Sequence, residues 1–199
     1  MIIVKLQGGL GNQMFQYAVG RQLAHIHNAE LKLDISWFDN MEDNAAPREY
    51  KLKTLNITEN IAANDEIKRL KKYEQKNGRK YILHNLLFAD NSIYVKEKQS
   101  RFDENILKAS DNIYLDGFWQ SEKYFEDIKK IIRKEFTLKN SLSDCAKSFE
   151  AEIASKEAIS IHVRRGDYVS DKHTNEWHGN CSIEYYNQVI SPVYTEPVG

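Results

Sequence analysis

Arg164 and Arg165 stand side by side directly after the apolar run Ala158-Ile159-Ser160-Ile161-His162-Val163, and Gly166-Asp167-Tyr168 follows at once. Two guanidinium groups at the tip of a buried strand are costly unless an anion meets them. A planar fork that keeps its proton at any working pH suits a pyrophosphate. Asp167 could tether one arginine and leave the other aimed at the anion. A purely structural Arg–Asp pair near a domain boundary accounts for the same residues.

The second group with chemical promise is Gln7-Gly8-Gly9-Leu10-Gly11-Asn12-Gln13-Met14-Phe15-Gln16. Glycines between a strand and a helix let the backbone approach a ligand, and the helix N-terminus favours an anion. Gly9-x-Gly11-x-x-Met14, with Asp34 downstream, imitates a dinucleotide fingerprint and raises an NAD-dependent oxidoreductase as one alternative. The third position of that fingerprint needs a small residue, and Met14 is bulky. A tight turn without a ligand explains the glycines but not the amides beside them. Asn12 and Gln13, at the carboxyl end of a strand, suit a cleft that recognises hydroxyls. His173, His178 and Cys181 have spacings a metal could use, but no fourth ligand is in view. No Asp-x-Asp pair is present to grip a diphosphate through a cation, so a bound diphosphate would rest on arginine and no metal is expected.

These groups need elements to position them. Ile2-Ile3-Val4-Lys5-Leu6 is nearly continuous in apolar character, as a buried parallel strand is. A helix beginning near Asn12 follows, with Phe15, Val19 and Leu23 on one face. Leu31-Lys32-Leu33-Asp34-Ile35 alternates like a second strand, completing a βαβ unit. Asp65 to Asn77 reads as a charged helix with a solvated face, and a contact with a membrane surface or lipid-linked glycan is the minority reading. Ile113-Tyr114-Leu115 is a further strand ending at Asp116-Gly117. Tyr124, Phe125, Ile128, Ile131, Ile132 and Phe136 recur at helical spacing. Ser141-Leu142-Ser143-Asp144 resembles a capping box ahead of a helix that carries Cys145, Phe149 and Ile153 on one stripe. Ala158–Val163 is predicted as a strand, Ser182 as the cap of a last helix with Tyr185, Tyr186 and Val189, and Pro192-Val193-Tyr194 as the start of one more strand.

Composition bounds the answer. Of 199 residues 41% are hydrophobic, and 28 Lys+Arg against 29 Asp+Glu give a formal charge of −1, so no global field draws the protein to nucleic acid. No apolar run approaches the roughly 20 residues of a membrane span. Cys145 and Cys181 form no CxxC, and a reduced, cytoplasmic protein is expected. The fold class is α/β. A boundary near Lys156 divides residues 1–156, a Rossmann-like domain, from residues 157–199, too short to enclose a core and expected to be the incomplete start of a second such domain.

Three segments together resemble glycosyltransferase family 11, the α-1,2-fucosyltransferases. Gly8-Gly9-Leu10-Gly11-Asn12-Gln13-Met14-Phe15-Gln16-Tyr17-Ala18 looks like their opening signature, and His162-Val163-Arg164-Arg165-Gly166-Asp167-Tyr168 is similar to their His-x-Arg-Arg-Gly-Asp motif. Gly117-Phe118-Trp119-Gln120-Ser121-Glu122-Lys123-Tyr124-Phe125 resembles the segment between the two. The resemblance implies a GT-B-like pair of Rossmann-like domains and transfer of L-fucose, with inversion, from GDP-β-L-fucose to the 2-hydroxyl of a galactose-type glycan. It implies Arg164 as the diphosphate clamp, Arg165 as its neighbour and Asp167 in the same catalytic group. His162, Gly9, Gly11 and Asn12 would serve the donor, and Gln13 and Gln16 the acceptor side, without metal or other cofactor. It further implies that family members run on beyond Gly199, so a catalytically silent remnant that keeps a glycan-binding domain is the alternative. A peripheral place at the inner face of the membrane goes with a lipid-linked acceptor.

Overall fold

The computed structural model describes residues 1–39, 48–71, 93–99, 101–163, 165–166, 169, 175–176 and 179–195. They fall into two compact units, Met1–Ser141 and Leu142–Gly199. The sequence-based boundary near Lys156 lies inside the second unit.

The first unit is built on four parallel strands: β1 (Ile2–Lys5), β2 (Leu31–Asp34), β3 (Ile93–Lys96) and β4 (Ile113–Asp116), in the spatial order β2-β1-β4-β3. The central strands are apolar on both faces, so Ile2, Ile3, Val4, Ile113, Tyr114 and Leu115 are all fully buried. Helix α1 (Leu10–Ile26) joins β1 to β2. Gly20 lets it lie close to the sheet, since a Cβ there would meet Val4 at 3.3 Å and Leu31 at 2.9 Å. Close helix–strand packing therefore rests on Gly20 instead of the fingerprint's third position, where half-buried Met14 stands.

Helix α1 is covered on its outer side as well, and this changes the meaning of its polar residues. Gln13, Gln16 and Gln22 are buried along with Tyr17, Val19 and Leu23. The Tyr17 hydroxyl donates to Glu135 Oε2 at 2.8 Å and accepts from Thr58 N at 3.1 Å, while Arg21 Nε reaches Glu135 at 3.0 Å. The opposite sheet face carries α2 (Asn64–Lys71), whose Ile67 and Leu70 pack with Ile3, Ala62 and Tyr114. The expected continuation of α2 over residues 72–77 lies outside the described residues.

The helix expected over 124–136 is interrupted. Two single 3₁₀ turns, Glu122–Tyr124 and Glu126–Ile128, precede α3 (Lys129–Glu135), with Phe125 at φ −140°, ψ 23° between them. Consecutive helical side chains point about 100° apart. Tyr124 packs on Phe102 and Trp119 whereas Phe125 packs on Phe15, and unwinding lets both rings be used.

In the second unit α4 (Asp144–Ala154) is capped by Ser143, which accepts from Ala146 N at 3.3 Å, so the cap is Ser143 and not Ser141. Its expected apolar stripe is exposed at Cys145, Phe149 and Ile153. The strand expected at Ala158–Val163 does not form. Ile159, Ile161 and Val163 are exposed, and no described segment pairs with them; alternation makes a strand only where a ladder partner exists. Helix α5 (Ile183–Thr195) begins at Ser182 as expected, with Tyr185 N donating to Ser182 Oγ, and it continues through 192–194, where another strand was expected. Among the described residues no helix is long and apolar enough to cross a membrane.

Candidate functional site

In a sheet ordered β2-β1-β4-β3, the chain leaves β1 toward one side and β4 belongs to the other, so the crevice at the carboxyl ends of β1 and β4 is the switch point where open α/β sheets bind ligands. The two loops that open there are Gln7–Gly9, after β1, and Gly117–Ser121, after β4. They are the first and third of the motifs singled out in the sequence. Gln120 Nε2 donates to Asn12 Oδ1 at 2.7 Å and ties them together.

The β1 loop is shaped from inside. Gly8 adopts φ +76°, and a Cβ there would lie 2.6 Å from the Asn12 amide. Gln13 Nε2 donates to Gly8 O and to Glu49 O, each at 2.9 Å, while Gln13 Oε1 accepts from Lys51 N at 2.9 Å. Gln16 Oε1 accepts from Gln7 N at 2.9 Å. Both glutamines are fully buried. Through these bonds the two glutamines hold the turn from inside.

Gly9 is the N-cap of α1 and makes no side-chain cap, and no acidic residue occupies the first turn. The positive end of this 17-residue helix thus has no compensating side chain in its own first turn. Gly11 is exposed in that first turn. The Arg48 guanidinium lies 4.0 Å from where a Gly9 Cβ would sit, a cation that no motif or spacing singles out.

The β4 loop has its own support. Glu97, just past β3, accepts from Phe118 N at 2.6 Å and Trp119 N at 3.2 Å. Gly117 makes this possible, because a Cβ there would stand 2.4 Å from the Glu97 Cβ.

Below the crevice, on the α2 face, lies a buried polar network. Asp34 accepts from Tyr114 Oη at 2.5 Å, from Ser36 N at 2.9 Å and from Lys71 Nζ at 3.3 Å. Tyr94 Oη donates to Asp116 at 2.6 Å, Lys5 reaches the same carboxylate at 3.1 Å, and the Tyr94 and Tyr114 rings stack at 5.5 Å. Burial alone would raise the Asp34 carboxyl, but these hydrogen bonds and the Lys71 charge outweigh it and hold the group below its ordinary range. Asp34 is fully buried and bonded within the protein, so it cannot receive a ribose hydroxyl, and the dinucleotide reading is corrected on that ground.

The arginine motif belongs to the second unit. Arg164 and Asp167 lie outside the described residues, as do His173 and His178. Arg165 and His162 are exposed. His162 lines a cavity of about 430 Å³ with Cys181, Tyr185 and Tyr186. Among the described residues no three His, Cys, Asp or Glu side chains gather as a metal-holding group.

The description "Glycosyl transferase family 11" matches residues 1–195. The chain belongs to that family. This family 11 chain is 32% identical over 195 residues to an "Alpha-1,2-colitosyltransferase" of Escherichia coli, covering 94% of the chain and 61% of that protein. It is 27% identical to the "O-antigen biosynthesis glycosyltransferase WbnK" of Escherichia coli, over 93% of the chain and 65% of that protein. A "Galactoside alpha-(1,2)-fucosyltransferase 1" of Mus musculus is 31% identical over 102 residues, 48% of the chain and 25% of that protein. The family 11 chain thus spans less than two thirds of the length of these relatives. No solved structure matches it.

Proposed function

We propose that this glycosyltransferase chain serves the transfer of L-fucose, with inversion, from GDP-β-L-fucose to the 2-hydroxyl of a galactose-type glycan. The observation that carries the reading is the convergence of two family motifs at the sheet's switch point, joined by the Asn12–Gln120 bond beside an uncapped helix N-terminus. Cleaving the sugar–phosphate bond builds negative charge on the departing GDP. Groups already aimed at that charge stabilise the transition state more than the ground state. The α1 N-terminus with Gly9, Gly11 and Asn12 offers such a field from the first unit. In this reading Arg164 clamps the diphosphate with a bidentate fork, Arg165 supports it, Asp167 steadies the pair, and His162 lies on the donor side, all within a GT-B-like arrangement of two Rossmann-like domains. Arginine takes the part a divalent cation plays elsewhere, so no metal or other cofactor is required. The acceptor is a cytoplasmic soluble or lipid-linked glycan.

A second reading exchanges the transferred sugar for colitose. It is favoured by the relative of that name, which aligns over nearly the whole chain. Calorimetric titration with GDP, GDP-fucose and GDP-colitose separates the two, and turnover with each donor ranks them. Binding of GDP that vanishes in Arg164→Ala supports the clamp. Absence of any nucleotide binding to the intact chain would leave a silent glycan-binding remnant as the surviving description.

A further inference from the structure

A cavity of about 680 Å³ opens in the first unit between the end of β3 and the 3₁₀ turn Glu104–Lys108. That volume is within the range of small-ligand sites. Phe102 forms its apolar wall, backed by the Tyr124 ring at 4.8 Å between centroids and, behind that, by Trp119 at 5.9 Å from Tyr124; Trp119 and Tyr124 are themselves buried. Its charged lining is balanced, with Lys96, Lys98 and Arg101 against Glu97, Asp103 and Glu104. An aromatic face beside donors and acceptors of both signs, without net charge, suits a neutral polyhydroxylated ligand better than a phosphate or a cation.

Two further observations fall on Trp119. Its backbone holds φ +54°, a left-handed conformation that a bulky residue adopts only under constraint, here imposed by Glu97 on the Phe118 and Trp119 N–H groups. Its indole Nε1 is buried without a hydrogen-bond partner among the described residues. A strained residue with an unanswered donor, on the wall of a cavity, marks a place where stability has been given up for binding. The next residue is Gln120, which holds Asn12 at the switch point. Cavity wall and candidate reaction centre are thus consecutive positions of one loop.

We infer that this cavity seats the acceptor: a neutral glycan whose terminal galactose packs on Phe102, with Trp119 and Tyr124 behind that ring, and hydrogen-bonds to the charged rim. The inference rests on the transferase reading above, and its test separates the two. With Trp37→Phe and Trp177→Phe, Trp119 becomes the sole indole of the chain. Lactose should then shift its emission saturably, while maltose and GDP should not. In turnover with GDP-fucose, Lys98→Ala, Arg101→Ala and Phe102→Leu should each raise the lactose KM about tenfold and leave the donor KM unchanged. Phe102→Leu keeps an apolar side chain in the cluster, so folding survives in at least one variant. Transfer that proceeds with the lactose KM unmoved in all three overturns the cavity assignment alone. A lactose-induced shift that Phe102→Leu weakens, in a chain without transfer, keeps the cavity and overturns the transferase reading. Neither shift nor transfer overturns both.

Discussion

Gln120 donates to Asn12 across 2.7 Å, joining loops 108 positions apart at the carboxyl ends of neighbouring strands. The bond leaves the Asn12 carbonyl oxygen as acceptor, so aspartate at the same position would accept equally well. Asp in the first turn also complements the helix dipole, by about 0.3–1 kcal/mol. Asn12→Asp should therefore match or exceed the parent in thermal midpoint, yet bind GDP-fucose at least tenfold more weakly because the new charge opposes the diphosphate. Unchanged donor KM in a stable Asn12→Asp protein would remove the α1 N-terminus from the donor site.

Gln13 satisfies two carbonyls and one N–H from a fully buried position. Gln13→Glu sets a carboxylate against Gly8 O and Glu49 O and should cost about 3 kcal/mol or more, since acceptors then face acceptors without water. Gln13→Met, which removes the polarity and keeps the length, should cost less. Urea unfolding of the two variants gives the order, and an equal cost would argue that the amide is not what holds the turn.

Gly117→Ala should destabilise by about 1–3 kcal/mol through overpacking against Glu97. Glu97→Gly, which removes the Cβ at 2.4 Å, should recover much of the Gly117→Ala loss in a double-mutant cycle, with Trp119 Cε2 at 2.9 Å accounting for the remainder, although Glu97→Gly alone frees the N–H groups of Phe118 and Trp119. Additive losses would place the strain elsewhere.

Stability should fall at both ends of the pH scale for reasons located in one buried pair, Asp34 and Tyr114. Asp34 is held below its ordinary value, so the folded form binds its proton less tightly than the unfolded chain does. Its stabilisation is complete above the unfolded value of about 3.9 and disappears as pH falls through the folded one. Burial and the bond to Asp34 push the Tyr114 phenol up, so its contribution is intact below about pH 10 and is lost as pH rises further. Tyr114→Phe should lower the plateau and flatten the alkaline limb of a midpoint-versus-pH curve. An alkaline limb of unaltered slope would assign the effect to other phenols.

Much of the scaffold could be read from local pattern. The apolar run Ile2–Val4, the glycine turn and the alternation Leu31–Asp34 each carry their own signal, and β1, α1 and β2 follow from them. The inward glutamines of α1 were not legible, because a helix covered on two sides has no polar face to betray its orientation. The β1–β4 pairing and the Asn12–Gln120 bond leave no periodic trace, being contacts between distant segments. Arg48 and Glu97 matter through proximity alone. Ala158–Val163 shows the opposite error, in which a sound alternation meets no ladder among the described residues.

The placement of β1 has a kinetic consequence. Its neighbour β2 arrives soon after it in the chain, but its other neighbour, β4, begins only at Ile113. During synthesis the first βαβ unit must wait with one side of its central strand unpaired, exposed to any other extended chain nearby. Contacts of such long sequence separation form slowly. The candidate crevice is therefore the last part of the sheet to close, and conditions that hinder late strand docking should yield aggregated chains before they yield folded, inactive ones.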